Sequence, residues 1–152
     1  MPPEPDKADI LLAVVRAIHA DMAEGEPPDL QDVPEEQTAA ARIVCTTPGT
    51  LAGLPVAEEV FRRMGGRLRS AVADGAAIAA GDEVAEVGGA LRAILTARPT
   101  AIAFLERLSA IATGAGEPET GDPLDAYAAG LRMSLAPSVG HNGPRFELEV
   151  TG

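Results

Sequence analysis

The chain has 152 residues, of which 12 are Lys or Arg and 23 are Asp or Glu, giving a net charge of −11. That length fits one domain with a core that needs no covalent staples, and the 46% apolar share argues against wholesale disorder. The acidic balance excludes nucleic acid and anionic membrane surfaces as default partners, no apolar run approaches the ~20 residues of a membrane span, and the single cysteine, Cys45, excludes an internal disulfide and a cysteine-based zinc cage.

The start, Met1-Pro2-Pro3-Glu4-Pro5-Asp6, is acidic and proline-rich, the wrong chemistry for a signal peptide, so a soluble cytoplasmic protein is expected. Lysine occurs once, at Lys7, and leaves no lysine base in the body of the chain. Aromatics are confined to Phe61, Phe104, Tyr127 and Phe146, too few for a base-stacking platform.

Residues 1–7 read as a frayed tail. Asp9 to Met22 is predicted as helix, with Leu11, Leu12, Val14, Val15 and Ile18 at helical spacing. Pro27-Pro28 cannot continue it, and an acidic loop runs on to about Gln37. Thr38 to Thr47 alternates as a strand, with Ala41, Ile43 and Cys45 on one face and Arg42, Val44 and Thr46 on the other. Pro48-Gly49 turns, and Thr50 to Leu54 is expected to return as a second strand. Pro55 suits the first position of a helix that turns Val56, Val60, Phe61 and Met64 inward and ends at Gly65-Gly66.

Arg67 to Val72 alternates, Asp74-Gly75 turns, Ala76 to Ala79 is short and extended, and Gly81-Asp82 turns again. Glu83 to Val87 alternates before Gly88-Gly89, and Leu91 to Thr96 is read as a further strand, completing a small antiparallel unit. Pro99 is expected to open a helix through Thr113, with Ile102, Leu105, Leu108 and Ile111 at helical spacing and Gly114 as its stop. Gly114 to Pro123 reads as linker, Leu124 to Leu135 as a last helix, Ala136 to Gly143 as loop, and Arg145 to Val150 as a short strand. The organisation expected is a disordered tail over 1–7, a domain over 8–113, and a linker with a C-terminal helix and strand over 114–152. The fold class is α+β, a small antiparallel sheet or sandwich flanked by helices.

Three stretches carry a resemblance: Gly49-Thr50-Leu51-Ala52-Gly53-Leu54-Pro55-Val56-Ala57-Glu58-Glu59-Val60-Phe61; the pair Asp74-Gly75 and Gly81-Asp82; and Leu95-Thr96-Ala97-Arg98-Pro99-Thr100-Ala101-Ile102-Ala103-Phe104-Leu105 running on to Thr113. In this order and spacing they resemble the N-terminal domain of quinolinate phosphoribosyltransferase, the carboxylating nicotinate-nucleotide pyrophosphorylase of NAD biosynthesis. The resemblance covers about Ala39 to Thr113. It implies an antiparallel sheet with helices packed on it, and a phosphoribosyl site held by a following barrel. It also implies that this domain closes the barrel site of a dimer partner.

The sequence departs from that pattern where the chemistry would lie. Only 39 residues follow Thr113, while a barrel needs about 200 or more, so the catalytic domain is expected to be absent. The family's Glu-Arg, whose arginine helps bind the substrate carboxylates, appears as Arg98-Pro99; its Asn in the same helix appears as Ala103; and its acidic signature after the first helix is degraded to Ala20-Asp21 and Glu24-Gly25-Glu26. The tail Gly140-His141-Asn142-Gly143-Pro144-Arg145 only faintly echoes a barrel motif.

Arg98 is the one candidate substrate-binding residue, since a guanidinium suits a dicarboxylate; without barrel walls, a solvated arginine near a helix start is the weightier reading. His141 is expected to be a polar turn residue and the Asp21–Asp32 acids a solvated loop. Ser109 is expected to bond a backbone carbonyl, and Cys45 to be an inert buried thiol. A biotinyl or lipoyl carrier fails because residues 38–152 hold no lysine. No catalytic residue, cofactor or metal is assigned. The expectation is a stand-alone, non-catalytic relative of the transferase domain acting as a binding or oligomerisation module, its partner a second copy or a phosphoribosyltransferase barrel subunit. The alternative is one half of a split nicotinate-nucleotide pyrophosphorylase. The surface expected to be covered lies near Leu54 to Met64 and at the start of the Pro99 helix.

Overall fold

The structure is a computed structural model that describes residues 5–23, 33–132 and 143–151. Helix α1 (Lys7–Met22) is capped by Asp6, whose carboxylate accepts from the Ala8 amide at 2.9 Å. Strand β1 (Thr38–Thr47) is followed by β2 (Gly49–Thr50), α2 (Leu54–Arg63), β3 (Gly66–Ser70), β4 (Ala77–Ile78) and β5 (Glu83–Ala90). Then come α3 (Leu91–Thr113), α4 (Pro123–Gly130) and β6 (Arg145–Val150). The main sheet has the order β3-β5-β1-β6 with every neighbour antiparallel, and β2 pairs with β4 separately.

Alternation sorts the two faces of the sheet. Ala41, Ile43 and Cys45 of β1 are buried, with Ile43 opposite Ala85 on one side and Leu148 on the other. The other face carries charge: Arg42 stands between Glu86 and Glu149 and binds Glu149 at 2.9 Å, and Arg69 binds Glu86 at 2.5 Å. Phe61, Leu51, Ile94, Leu105 and Leu108 fill the space between the buried face and the helices. No helix among the described residues is long and apolar enough to cross a membrane.

The architecture is the expected α+β one, with four local corrections. Leu91 to Thr96 is not a strand but the first turns of α3, so Pro99 is inside that helix rather than at its start. Leu91, Ile94 and Leu95 already follow helical spacing, and burial of Ile94 and Leu95 outweighs the proline, which has no N–H for the Leu95 carbonyl. The return strand over Thr50–Leu54 shrinks to Gly49–Thr50, because Leu54 already starts α2. Gly88-Gly89 does not end β5: a Cβ at Gly89 would meet the Gly66 Cα at 3.0 Å, so glycine lets β5 and β3 approach. The last helix stops at Gly130, with Leu131 and Arg132 beyond its end, and residues 133–135 of its expected span, like His141, lie outside the described residues.

The segment after Thr113 is tied to the rest. β6 is hydrogen-bonded along β1 as an edge strand, and Pro144 just before it is fully buried. A Cβ on Gly49 would fall 2.3 Å from the Pro144 ring, so this contact requires glycine. α4 is fastened to α3 by Arg107, whose guanidinium meets Asp125 at 2.7 and 3.2 Å. The expected exposed surface at Leu54 to Met64 is also corrected: Leu54, Val56, Ala57, Val60 and Phe61 are buried in the core, as the amphipathic pattern of α2 requires. Among the described residues, the large exposed apolar side chains are Leu11, Leu12, Val15 and Met22 of α1 and Val150 of β6.

Candidate functional site

Because α3 begins at Leu91, Arg98 sits in its interior, half-buried on the wall of a groove between α3 and the edge strand β6. The groove has a volume of about 450 Å³ and is lined by Arg98, Pro99, Ile102, Glu106, Phe146 and Leu148, with Ala103 and Glu147 at its margins. Its two ends differ in charge. Glu106 lies eight residues after Arg98, about 12 Å along the helix axis. There its carboxylate accepts from the Phe146 amide at 3.1 Å and pairs with Arg145 at 3.3 Å. The site therefore sets a guanidinium toward one end and a carboxylate bonded to Phe146 and Arg145 toward the other, with apolar side chains between. Its lining contains the carboxylates Glu106 and Glu147 but no histidine, cysteine, serine or lysine.

Pro99 occupies the position where the resemblance puts the substrate arginine. One step along a helix rotates a side chain by about 100°, so Arg98 points in a different direction from residue 99. Ala103, at the family's Asn position, adds no polar group.

The motifs that carried the resemblance have structural work. Ala52 donates its amide to Ser109 Oγ at 2.9 Å, and Ser109 donates back to the Ala52 carbonyl at 3.1 Å. Thr113, one turn later, receives the Thr50 amide at 2.9 Å. Ser109 thus bonds a main-chain carbonyl, as expected, but in the 50–53 segment rather than in its own helix. Asp74 takes the Gly53 and Leu54 amides, both at 3.0 Å, and the Tyr127 hydroxyl at 2.7 Å. It caps α2 from a distant turn, because Gly53, at φ 106°, has no side chain to do so. Asp82 accepts from Ala79 at 2.8 Å and closes its own turn.

The remaining candidates are accounted for as follows. Cys45 is buried and donates to the Thr47 carbonyl at 2.9 Å; burial pushes its thiol pKa above the ordinary value, which suits an inert group. Asp21 is bonded by Thr100 Oγ1. The other acids of its loop, from Glu24 to Asp32, lie outside the described residues. Glu119, Asp122 and Asp125 converge closely enough for a metal ion, but Arg107 is the cation among them. Its hydrogen bond to Asp125 raises the arginine pKa further. The sequence signalled neither this cluster nor the groove. Glu106 and Phe146 are 40 residues apart and meet only when β6 joins the sheet.

Known proteins match this architecture. A nicotinate-nucleotide pyrophosphorylase from Francisella tularensis superimposes with a TM-score of 0.67 at 23% identity, over 74% of this chain and 41% of its own. NadC from Streptococcus pyogenes gives 0.76 at 22% identity, over 86% and 53%. A nicotinate-nucleotide pyrophosphorylase from Ehrlichia chaffeensis gives 0.70 at 14% identity, over 86% and 54%. The chain thus spans about half the length of the proteins it superimposes on, and these likenesses establish the fold. The family model described as the quinolinate phosphoribosyl transferase N-terminal domain matches residues 14–109, more than half of the chain. With the motifs, the sheet and that match in agreement, the chain belongs to the quinolinate phosphoribosyl transferase N-terminal domain family.

Proposed function

We propose that this domain is a non-catalytic binding and oligomerisation module descended from the transferase N-terminal domain. The observation that carries this reading is Pro99. It stands inside α3, at the position where the family would present a carboxylate-binding arginine, and it has no group to bind one. The groove beside it holds no histidine, cysteine, serine or lysine, and of its two carboxylates Glu106 is bonded to the Phe146 amide and Arg145, while the hydroxyl and carboxylate contacts that keep the fold are intact.

A second reading has one observation in its favour. Arg98 is retained on the groove wall next to the vacated position, so the domain can still present a cation when a barrel subunit closes over it. In that case it is one half of a nicotinate-nucleotide pyrophosphorylase.

The test is turnover of quinolinate and phosphoribosyl pyrophosphate to nicotinate mononucleotide by the purified chain, alone and mixed with a phosphoribosyltransferase barrel lacking its own N-terminal domain. The module reading expects no turnover in either case. Turnover restored in the mixture, and abolished by Arg98→Ala, establishes the second reading and overturns the first.

A further inference from the structure

We propose that the exposed face of α1 is a self-pairing seam, on which α1 of a second copy of this chain packs antiparallel. The inference rests on reading the domain as an association module and names the surface that associates.

α1 has two apolar faces. Ile10 and Val14 point into the domain and are buried. On the face beside them, Ala8, Leu11, Val15, Ile18 and Met22 follow one another at spacings of three, four, three and four. This is the a/d spacing of a helix–helix seam, and at 3.6 residues per turn the five directions fall within an arc of about 80°. Leu11 is 42% exposed, Val15 40% and Met22 62%, and Leu12, 51% exposed, borders the seam, while Ile18 lies at the inner edge of the arc, partly buried against the core. A surface helix normally turns polar residues to water here. The outer face of α2 does so with Glu58, Arg62 and Arg63. Among the described residues, four of the five large exposed apolar side chains are on α1.

Three features select a second copy as the occupant. The first is geometric. Knobs at 3-4 spacing fit the holes of a helix with the same spacing, and a two-fold axis near the middle of α1 sets Leu11 beside Met22 of the other copy and Val15 beside Ile18. The second is electrostatic. The macrodipoles of two antiparallel helices attract, whereas those of a parallel pair repel. Asp6, Asp9 and Asp21 outweigh Lys7 and Arg16 by one charge, so this contact adds little to the repulsion between two chains of charge −11. The third is area. Sixteen residues span about 24 Å, and a seam of that length buries on the order of 1,000 Å² in total, the low end for specific interfaces. A seam of that size suits a reversible dimer, strengthened by added salt as the net repulsion is screened.

Sedimentation of the purified chain across the micromolar range tests this. A concentration-dependent dimer is expected, and Leu11→Glu with Val15→Glu is expected to raise its dissociation constant by at least about tenfold. Because the two side chains are exposed, the variant should keep the wild-type circular dichroism spectrum and melt. A Val15→Cys variant treated with a short bis-maleimide reports the geometry, since the native Cys45 is buried; a linked dimer is expected. A monomer at every concentration with no linked product overturns the proposal. A dimer indifferent to the charged pair overturns the seam while leaving the module reading intact.

Discussion

From Leu105 to Thr113, α3 buries Leu105, Leu108, Ile111 and Ala112 and uses Ser109 and Thr113 to hold the main chain of Ala52 and Thr50. From Arg98 to Ala103 the same helix keeps Thr100 and Ala101 inward but lines an open groove with Arg98, Pro99 and Ile102. The two stretches belong to one helix and one run of resemblance to the family. The difference teaches that the resemblance is strongest where side chains hold the fold. In that stretch each hydroxyl answers a buried amide, and losing one leaves a donor unsatisfied. In the groove stretch, Pro99 removes a helix hydrogen bond, and the buried Ile94 and Leu95 hold the helix in spite of it.

The largest effect that separates the two stretches is a pair of truncations. Leu108→Ala removes a fully buried side chain and is expected to cost about 3 kcal/mol, within the range for buried leucines. Ile102→Ala, on the half-exposed groove wall, is expected to cost about 1 kcal/mol or less, because water already reaches the site. Urea denaturation of the two variants checks the ratio. Equal losses would mean that the groove is as much core as the second stretch is.

A smaller effect sharpens the role of the turn Asp74-Gly75 as scaffold. Asp74→Ala deprives the start of α2 of its cap and the Tyr127 hydroxyl of its acceptor. The expected loss is about 1–2 kcal/mol, read as a lower denaturation midpoint with an unchanged slope. An unperturbed midpoint would show that water replaces the carboxylate.

Much of this was legible in the residues. β1 runs over Thr38–Thr47 as its alternation demands, and Gly65-Gly66 follows the end of α2. Asp74-Gly75 and Gly81-Asp82 mark real turns. The start of α3 was not legible, since Pro99 is a strong local signal for a helix start and the buried Ile94 and Leu95 that override it belong to tertiary packing. That single error placed Arg98 near a helix end when it lies on a groove. The groove itself was out of reach of any local pattern, because its second wall comes from β6, whose pairing with β1 spans about two-thirds of the chain. The seam on α1 was half legible: the apolar spacing was visible, but not which side of the helix the domain leaves uncovered.

The smallest effect is the most informative about Arg98. If the groove stretch is no longer held by selection on the fold, Arg98→Ala should leave stability within about 0.5 kcal/mol of wild type, as for surface substitutions generally. Two contributions oppose each other. A contact made by a partly exposed arginine is worth roughly 0–1 kcal/mol and is weakened by salt, while alanine is the slightly better helix former in the interior of α3. Thermal melts at low and moderate salt resolve the two: the difference between variant and wild type should be small at low salt and vanish or reverse sign as salt rises. A loss above about 1 kcal/mol that persists in salt would make Arg98 part of the scaffold, equivalent to Ser109 and Thr113. The contrast between the two stretches of α3 would then fail, and with it the use of Arg98 as a reporter of substrate binding in the barrel-mixing experiment.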